Sequence, residues 1–318
     1  MDRSEDELLE AIRRVLSGTG PEVRVSVGDD AAVLAATTGE LVITTDSLVE
    51  GVHFVRGVIG ARDLGHKAIV VNVSDIAAMG ASPRAAVCAL TVSSDVDAAW
   101  IMELFGGMRE ACDEFALWLV GGDLSRGTEV SVAVTVTGEV APGRAVLRSG
   151  ARPGDRVVVT GEIGGSAAGL RLIQRGGRPA EEQRIPIHRH LRPTARVGEG
   201  AVLARRGATA MMDISDGLSL DLFRLALASG VGVRVELDHL PIASSATMEE
   251  ALGGGEDYEL LAALPDAEAV EAARAELKDS FGVQLTEIGV AVEGAGLIAI
   301  DAHGIERPLE PEGWDHFR

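Results

Sequence analysis

The sequence predicts a two-domain α+β protein, and three observations lead there. A chain of 318 residues has room for about two domains at roughly 150 residues each. A hydrophobic content of 46% is enough to fill two cores. Strand-like and helix-like segments follow one another without the strict strand–helix–strand alternation of a parallel α/β sheet.

The elements read in order as follows. MDRSEDELLEAIRRVL at the N-terminus has the spacing of an amphipathic acidic helix and lacks the basic start and apolar stretch of a signal peptide. Arg24–Val27 runs into Gly28-Asp29-Asp30-Ala31-Ala32-Val33 as strand, turn and second strand. Leu41–Thr45 (LVITT) is β-branched and apolar and reads as a strand ending at Asp46. Asp63–Met79 carries apolar residues near helical spacing at Leu64, Ala68, Val71, Ile76 and Met79, then stops at Gly80. Arg84–Val92 and Glu129–Val140 read as strands, and Asp97–Phe115 between them as a helix with Trp100, Leu104 and Met108 inward. A domain boundary falls near Pro142–Ala151, giving domains 1–142 and 143–318.

In the second half, Arg152-Pro153-Gly154-Asp155 is a turn and Arg156–Thr160 a strand. Glycine-rich Gly161–Gly165 opens a helix at Ser166–Arg175, and polar Arg175–Arg184 reads as a surface loop. Thr194–Arg206 is helical, and Ala210–Asp213 is a short strand running into Ser215-Asp216-Gly217. Leu218–Ser229 is a helix, Val231–Leu237 a strand, and Gly253–Leu264 a glycine turn leading into another strand.

Charge and cysteine content exclude several classes. A net charge of −20 argues against nucleic-acid partners, which need basic patches to displace counterions. No apolar run approaches the roughly 20 residues of a membrane span, so neither membrane partner nor export is expected and a cytoplasmic location is. Cys88 and Cys112 lie in apolar surroundings without CxxC spacing and read as two buried free thiols.

The acidic residues carry the functional signal. Five segments set Asp beside glycine or at the end of an apolar strand: Gly28-Asp29-Asp30, Thr44-Thr45-Asp46, Asn72-Val73-Ser74-Asp75, Gly121-Gly122-Asp123 and Asp213-Ile214-Ser215-Asp216-Gly217. Each alone reads as a turn or a helix cap. If several converge without basic partners, bound cations are the natural compensation, and oxygen ligands suit Mg²⁺ held between carboxylates and substrate phosphates. There is no GxxxxGK[ST] loop and no protein-kinase glycine loop, and Gly161–Gly165 serves equally as a phosphate-facing helix start or a tight packing turn. This logic reaches metal-dependent phosphate chemistry and leaves kinase and hydrolase both open.

GDDAAV (28–33), TTDSLVEGVHF (44–54), GHKAIVVNVSDIAAMGASP (65–83), GGDLSRG (121–127), GARPGDRVVVTGEIGGSAAGL (150–170), MMDISDGLSLDL (211–222) and GGGEDYELL (253–261), with Gly313-Trp314 near the end, follow one another along the whole chain. This ordered series resembles the thiamine-monophosphate kinase family, within the wider aminoimidazole ribonucleotide synthetase-like superfamily. The resemblance implies the two-domain α+β fold of that superfamily, with N-terminal sheets paired across a homodimer and nucleotide in a cleft completed by the C-terminal domain. It implies ATP- and Mg²⁺-dependent phosphorylation of thiamine monophosphate to thiamine diphosphate.

By that resemblance Asp30, Thr44, Thr45, Asp46, Asp75, Asp123, Asp213 and Asp216 form a magnesium shell, with Asp29 the neighbouring candidate. Asp46, Asp75 and Asp216 are the expected catalytic carboxylates. Gly122, Asp123, Arg148 and Ser215 match ATP-contacting positions, and Phe105 stands where some relatives place a tyrosine against the nucleotide. His53, Glu256 and Trp314 match positions around the thiamine substrate. Lys67 reads equally as an ion-pair partner or a phosphate ligand, and His188 and His190 receive no role. A related ATP-dependent ligase and a non-catalytic nucleotide-binding protein are the alternatives.

Overall fold

A computed structural model describes residues 5–16, 18–27, 31–176 and 180–314. The chain divides into two compact units, Met1–Ile76 with Ser82–Gly143, and Ala77–Ala81 with Arg144–Arg318.

The first unit contains α1 (Glu5–Val15), β1 (Val23–Val25), β2 (Val33–Leu34), β3 (Glu40–Val49), α2 (Ala61–Ala78), β4 (Ser82–Val92), α3 (Ala98–Glu114), β5 (Trp118–Arg126) and β6 (Ser131–Val140). β1 and β2 form a small hairpin, and the main sheet runs β3-β6-β4-β5. β6 pairs antiparallel with both β3 and β4, whereas β4 and β5 are parallel and joined through α3. The period-two pattern of β6 shows why it lies mid-sheet: Val132, Val134 and Val136 are buried on one face, and the residues between them are less so. α2 has no polar stripe to offer water, and Leu64, Ile69, Val70, Val73 and Ile76 are all buried along it.

Two glycines allow α2 and α3 to touch backbone to backbone. A Cβ on Gly65 would lie 1.9 Å from the Leu104 carbonyl oxygen, and one on Gly107 would lie 1.8 Å from that of Arg62. At its start α3 is capped by the Asp97 carboxylate, which accepts from the Trp100 amide at 2.8 Å.

The second unit comprises β7 (Arg156–Thr160), α4 (Gly165–Arg175), α5 (Arg184–Leu191), α6 (Val197–Arg205), β8 (Ala210–Asp213), α7 (Leu218–Ser229) and β9 (Gly232–Glu236). It continues with α8 (Met248–Gly253), β10 (Leu260–Leu264), α9 (Ala267–Phe281), β11 (Leu285–Val292), β12 (Gly296–Ile300) and β13 (Glu306–Pro308). Its seven-stranded sheet is ordered β13-β12-β9-β11-β7-β10-β8 and is antiparallel except for β12 with β9. Both faces are covered. Val157 and Val159 of β7 join a core with Leu222 and Leu225 of α7, while Val158 joins one with Leu203 of α6 and Leu277 of α9. Burial on both sides explains the unbroken apolar run of RVVVT.

Three sequence expectations need adjusting. β3 does not end at Asp46; it continues to Val49 because Asp46–Val49 keep pairing with Ser131–Val134. Trp118–Arg126 is a full strand despite its two glycines and Asp, since the partner β4 supplies the ladder. Part of the expected loop before residue 184 is a short 3₁₀ turn at Glu181–Gln183, leading directly into α5.

Candidate active site

In the first unit the site residues gather around β3. Side chains alternate along a strand, so Thr44 and Asp46 share one face and Thr45 takes the other. The face of Thr44 and Asp46 is the one covered by α2: the Thr44 hydroxyl donates to Asp75 Oδ2 at 2.6 Å. On the opposite face the Thr45 hydroxyl donates to the Val134 carbonyl at 3.0 Å and accepts from Thr135. Asp123, on β5, stands opposite exposed Ala89, on the same sheet face as Thr45. The sheet therefore separates Asp46 and Asp75 from Thr45 and Asp123.

Gly122 is explained by packing, because a Cβ there would sit 2.0 Å from the Cys88 carbonyl oxygen of β4. His53 lies in the turn after β3, where its Nδ1 accepts the Val49 amide at 3.0 Å; this fixes the proton on Nε2. Phe105 is only 7% exposed, on α3 beside buried Leu104 and Met108. Lys67 is buried within α2. Gly28, Asp29 and Asp30 lie outside the described residues. Among the described residues no group of three or more His, Cys, Asp or Glu is placed to hold a metal ion.

In the second unit three segments meet through their main chains. Asp213 is the buried last residue of β8, paired with Leu260. The turn after it carries Ser215 and Asp216. The Glu256 amide donates to the Ser215 carbonyl at 2.8 Å, and the Trp314 amide to that of Asp216 at 3.0 Å. Gly255 and Gly313 permit these approaches: a Cβ on either would come within 2.5 Å of the same two carbonyl oxygens. The C-terminal segment is further pinned by Ser219, whose hydroxyl donates to the Glu312 carbonyl and accepts its amide, both at 2.9 Å. Ser215, Asp216, Glu256 and Trp314 are thus brought together, with the Trp314 side chain half exposed. Arg148 is exposed, its neighbour Leu147 accepting the Met211 amide of β8.

Several residues around this junction receive no role from the sequence, although Asp221 lies in MMDISDGLSLDL and Asp257 and Glu259 lie in GGGEDYELL. Asp221 is fully buried in the first turn of α7, and its Oδ2 accepts the amides of Ser215, Asp216 and Gly217 at 3.1, 3.0 and 3.2 Å. Arg224 bridges Asp216 at 2.5 Å and Asp221 at 2.8 Å. Burial pushes the Asp221 carboxyl up, against the pull of the amides and Arg224.

Asp257 accepts the amides of Gly164 and Ser166, at 2.6 and 3.0 Å, at the N-terminus of α4. Burial nonetheless raises it to about 7. Glu259 is gripped by Arg196 at 2.7 and 2.5 Å and accepts the Thr160 hydroxyl at 2.7 Å. His190, half a unit of sequence away, reaches Glu256 at 3.3 Å. The sequence clue to Asp221 is its place in MMDISDGLSLDL, four residues after Gly217.

Comparison with known proteins follows the same division. Residues 28–140 match the AIR synthase related protein N-terminal domain, and residues 152–302 match its C-terminal domain. The chain is 38% identical to the thiamine-monophosphate kinase of Salmonella typhimurium, over 93% of each chain. It is 37% identical to that of Aquifex aeolicus, over 92% of each. Among solved structures, thiamine-monophosphate kinase from Stenotrophomonas maltophilia superposes with a TM-score of 0.84 at 35% identity, covering 94% of this chain and 97% of that one. A structure of AaThiL complexed with AMPPCP and TMP gives a TM-score of 0.78 at 35% identity, covering 98% and 97%.

Proposed function

We propose a reaction from one premise: the chain belongs to the thiamine-monophosphate kinase family. It phosphorylates thiamine monophosphate to thiamine diphosphate with ATP as donor. The observation that carries the reading is the end-to-end likeness to a protein complexed with AMPPCP and TMP, an ATP analogue and the acceptor. The junction of Ser215, Asp216, Glu256 and Trp314 supports it, since those residues meet through main-chain bonds within one unit.

Both reactants are anions, so the chain must bring like charges together and align them. The acceptor phosphate has its second pKa at about 6 and is ionised near neutral pH, so no side chain is needed to deprotonate it. Transfer is then direct and in line, without a phosphoenzyme. The Ser215 amide is engaged by Asp221, which leaves its hydroxyl to contact the nucleotide, and exposed Arg148 offers a fork of donors to phosphate oxygens. Glu256, Trp314 and His53 hold the thiamine side. With Nε2 carrying its proton, His53 presents a donor.

Mg²⁺ belongs to the same reading. The donor set of Thr44, Asp46 and Asp75 is all oxygen, as a hard cation requires; Thr45 and Asp123, on the other face of the sheet, and Asp30, Asp213 and Asp216 are further oxygen donors in the proposal. When bound, the ion neutralises phosphate charge. A homodimer and a cytoplasmic location complete the proposal. The ten-residue edge strand β3, with Leu41 and Ile43 exposed beside Val87 on one sheet face, is the surface that supports a second copy. Among the described residues no helix is long and apolar enough to cross a membrane.

The test is a coupled assay with ATP, Mg²⁺ and thiamine monophosphate, with the product identified as thiamine diphosphate plus ADP. A folded protein that binds ATP yet forms no thiamine diphosphate refutes the assignment. Sedimentation at twice the chain mass supports the dimer, and a monomer at assay concentration removes it.

A further inference from the structure

We infer that Asp221, in the first turn of α7, is a positioning residue that fixes how the Ser215–Asp216 turn meets the nucleotide. The inference rests on the reading that Ser215 contacts ATP. It starts from the two sides of that turn. The carbonyls of Ser215 and Asp216 accept the amides of Glu256 and Trp314, the residues proposed to hold thiamine. The amides of the turn face a different partner. Those of Ser215, Asp216 and Gly217 all donate to one atom, Asp221 Oδ2, at 3.1, 3.0 and 3.2 Å.

Successive amides that converge on one point form a concavity suited to an anion. Here the chain supplies the anion itself, so these amides are not open to a phosphate. What the turn can offer a nucleotide is its side chains, the Ser215 hydroxyl and the Asp216 carboxylate. The peptide planes that Asp221 holds set the direction from which both side chains start.

The turn needs such a restraint. Gly217 sits at φ +124°, where a Cβ would lie 2.9 Å from the main chain of Gly253, so only glycine fits and its conformational freedom must be overcome. Asp221 is itself firmly seated. Its amide donates to the Gly217 carbonyl at 3.0 Å, its side chain is fully buried, and Arg224 Nη1 donates to its Oδ1 at 2.8 Å. The same nitrogen reaches Asp216, so one guanidinium neutralises both carboxylates. Burying a carboxylate is costly unless it is paired and hydrogen-bonded, and packing alone would be served by leucine. The charge at this position is accounted for by the amides it gathers.

Without that acceptor the amide side of the turn relaxes while the carbonyl side keeps its ties, so nucleotide binding suffers and thiamine monophosphate is spared. Calorimetry with AMPPCP and Mg²⁺ should show Asp221→Ala binding about tenfold more weakly, the scale of one hydrogen bond to a charged group. The KM for ATP should rise in step, with the KM for thiamine monophosphate within about twofold. Asp221→Asn keeps an acceptor oxygen without the charge, and charge-assisted bonds are roughly twice as strong as neutral ones, so its loss should be only about threefold.

Ser215→Ala is measured alongside and should itself weaken AMPPCP about tenfold. Weaker binding in Ser215→Ala but not in Asp221→Ala overturns the positioning role and leaves the Ser215 reading standing. Normal binding in Ser215→Ala overturns both. Equal shifts for ATP and thiamine monophosphate, or an asparagine variant as weak as the alanine one, reduce Asp221 to holding the fold. If circular dichroism shows Asp221→Ala unfolded, Asp221→Asn decides instead. A loss of AMPPCP affinity of about threefold with the KM for thiamine monophosphate spared then supports the inference, and an unchanged affinity overturns it.

Discussion

Replacing Asp221 with alanine removes, in one step, the acceptor for the Ser215, Asp216 and Gly217 amides. The Gly217 amide is buried, and a buried donor left without an acceptor costs about 1–3 kcal/mol. The Ser215 and Asp216 amides are only part-buried and can turn to water, adding about 1 kcal/mol between them. Arg224 keeps Asp216 as a partner, and its side chain is 37% exposed, so its loss is on the surface scale of about 0–1 kcal/mol. The sum is about 2–5 kcal/mol, a sizeable part of the roughly 5–15 kcal/mol that holds a protein folded.

Urea unfolding followed by circular dichroism should show this as a lower midpoint with an unchanged slope. Asp221→Asn should lose about half as much, because it retains one oxygen acceptor and sheds the cost of a buried charge. The sign follows from the raised carboxyl. Stability from such a group is complete below its unfolded pKa, near 3.8, and declines as pH rises through the folded value. The gap between Asp221→Asn and the parent should therefore narrow toward alkaline pH. If Asp221→Ala unfolds within about 0.5 kcal/mol of the parent, the turn does not depend on this carboxylate and the reasoning fails.

Three further outcomes are expected. Asp75→Asn should cut turnover by at least about a hundredfold with the fold intact by circular dichroism; loss of folding instead would make Asp75 structural. Asp257, raised to about 7, contributes stability that is complete below about 3.8 and lost as pH climbs toward 7. Asp257→Asn should accordingly match or exceed the parent's stability at pH 8, read from thermal midpoints across pH, and a deficit at pH 8 would contradict it. Burial pushes the Cys88 and Cys112 thiols up to about 12, so a thiol reagent at pH 8 should find neither in the native protein and both after denaturation.

How much the sequence discloses depends on the range of the interaction concerned. β6 and α2 are legible because period two and a near-helical spacing of apolar residues are written locally in the chain. The Asp-bearing segments are legible for a similar reason, as each is a short string. What cannot be read locally is partnership. β5 looks like a loop because Gly121, Gly122 and Asp123 are poor strand formers, and only β4 makes it a strand. Likewise, the sheet's two faces separate Thr45 from Thr44, a distinction that follows from alternation once the register is known. His190 and Asp257 act on residues 66 and 91 positions away, on Glu256 and Ser166, and no motif spans that distance.

The backbone contact between α2 and α3 has a consequence for anyone seeking a hardier version of this protein. Exchanging glycine for alanine is a routine route to about 0.4–1 kcal/mol of added stability, gained by restricting the unfolded chain. At Gly65 and Gly107 the same exchange would wedge a methyl group into a carbonyl oxygen under 2 Å away and lever apart the helix that bears Asp75. Gly57 and Gly60 have nothing within 4 Å of the added carbon and no left-handed φ. A stabilisation campaign therefore has two glycines here it can spend and two it must leave alone.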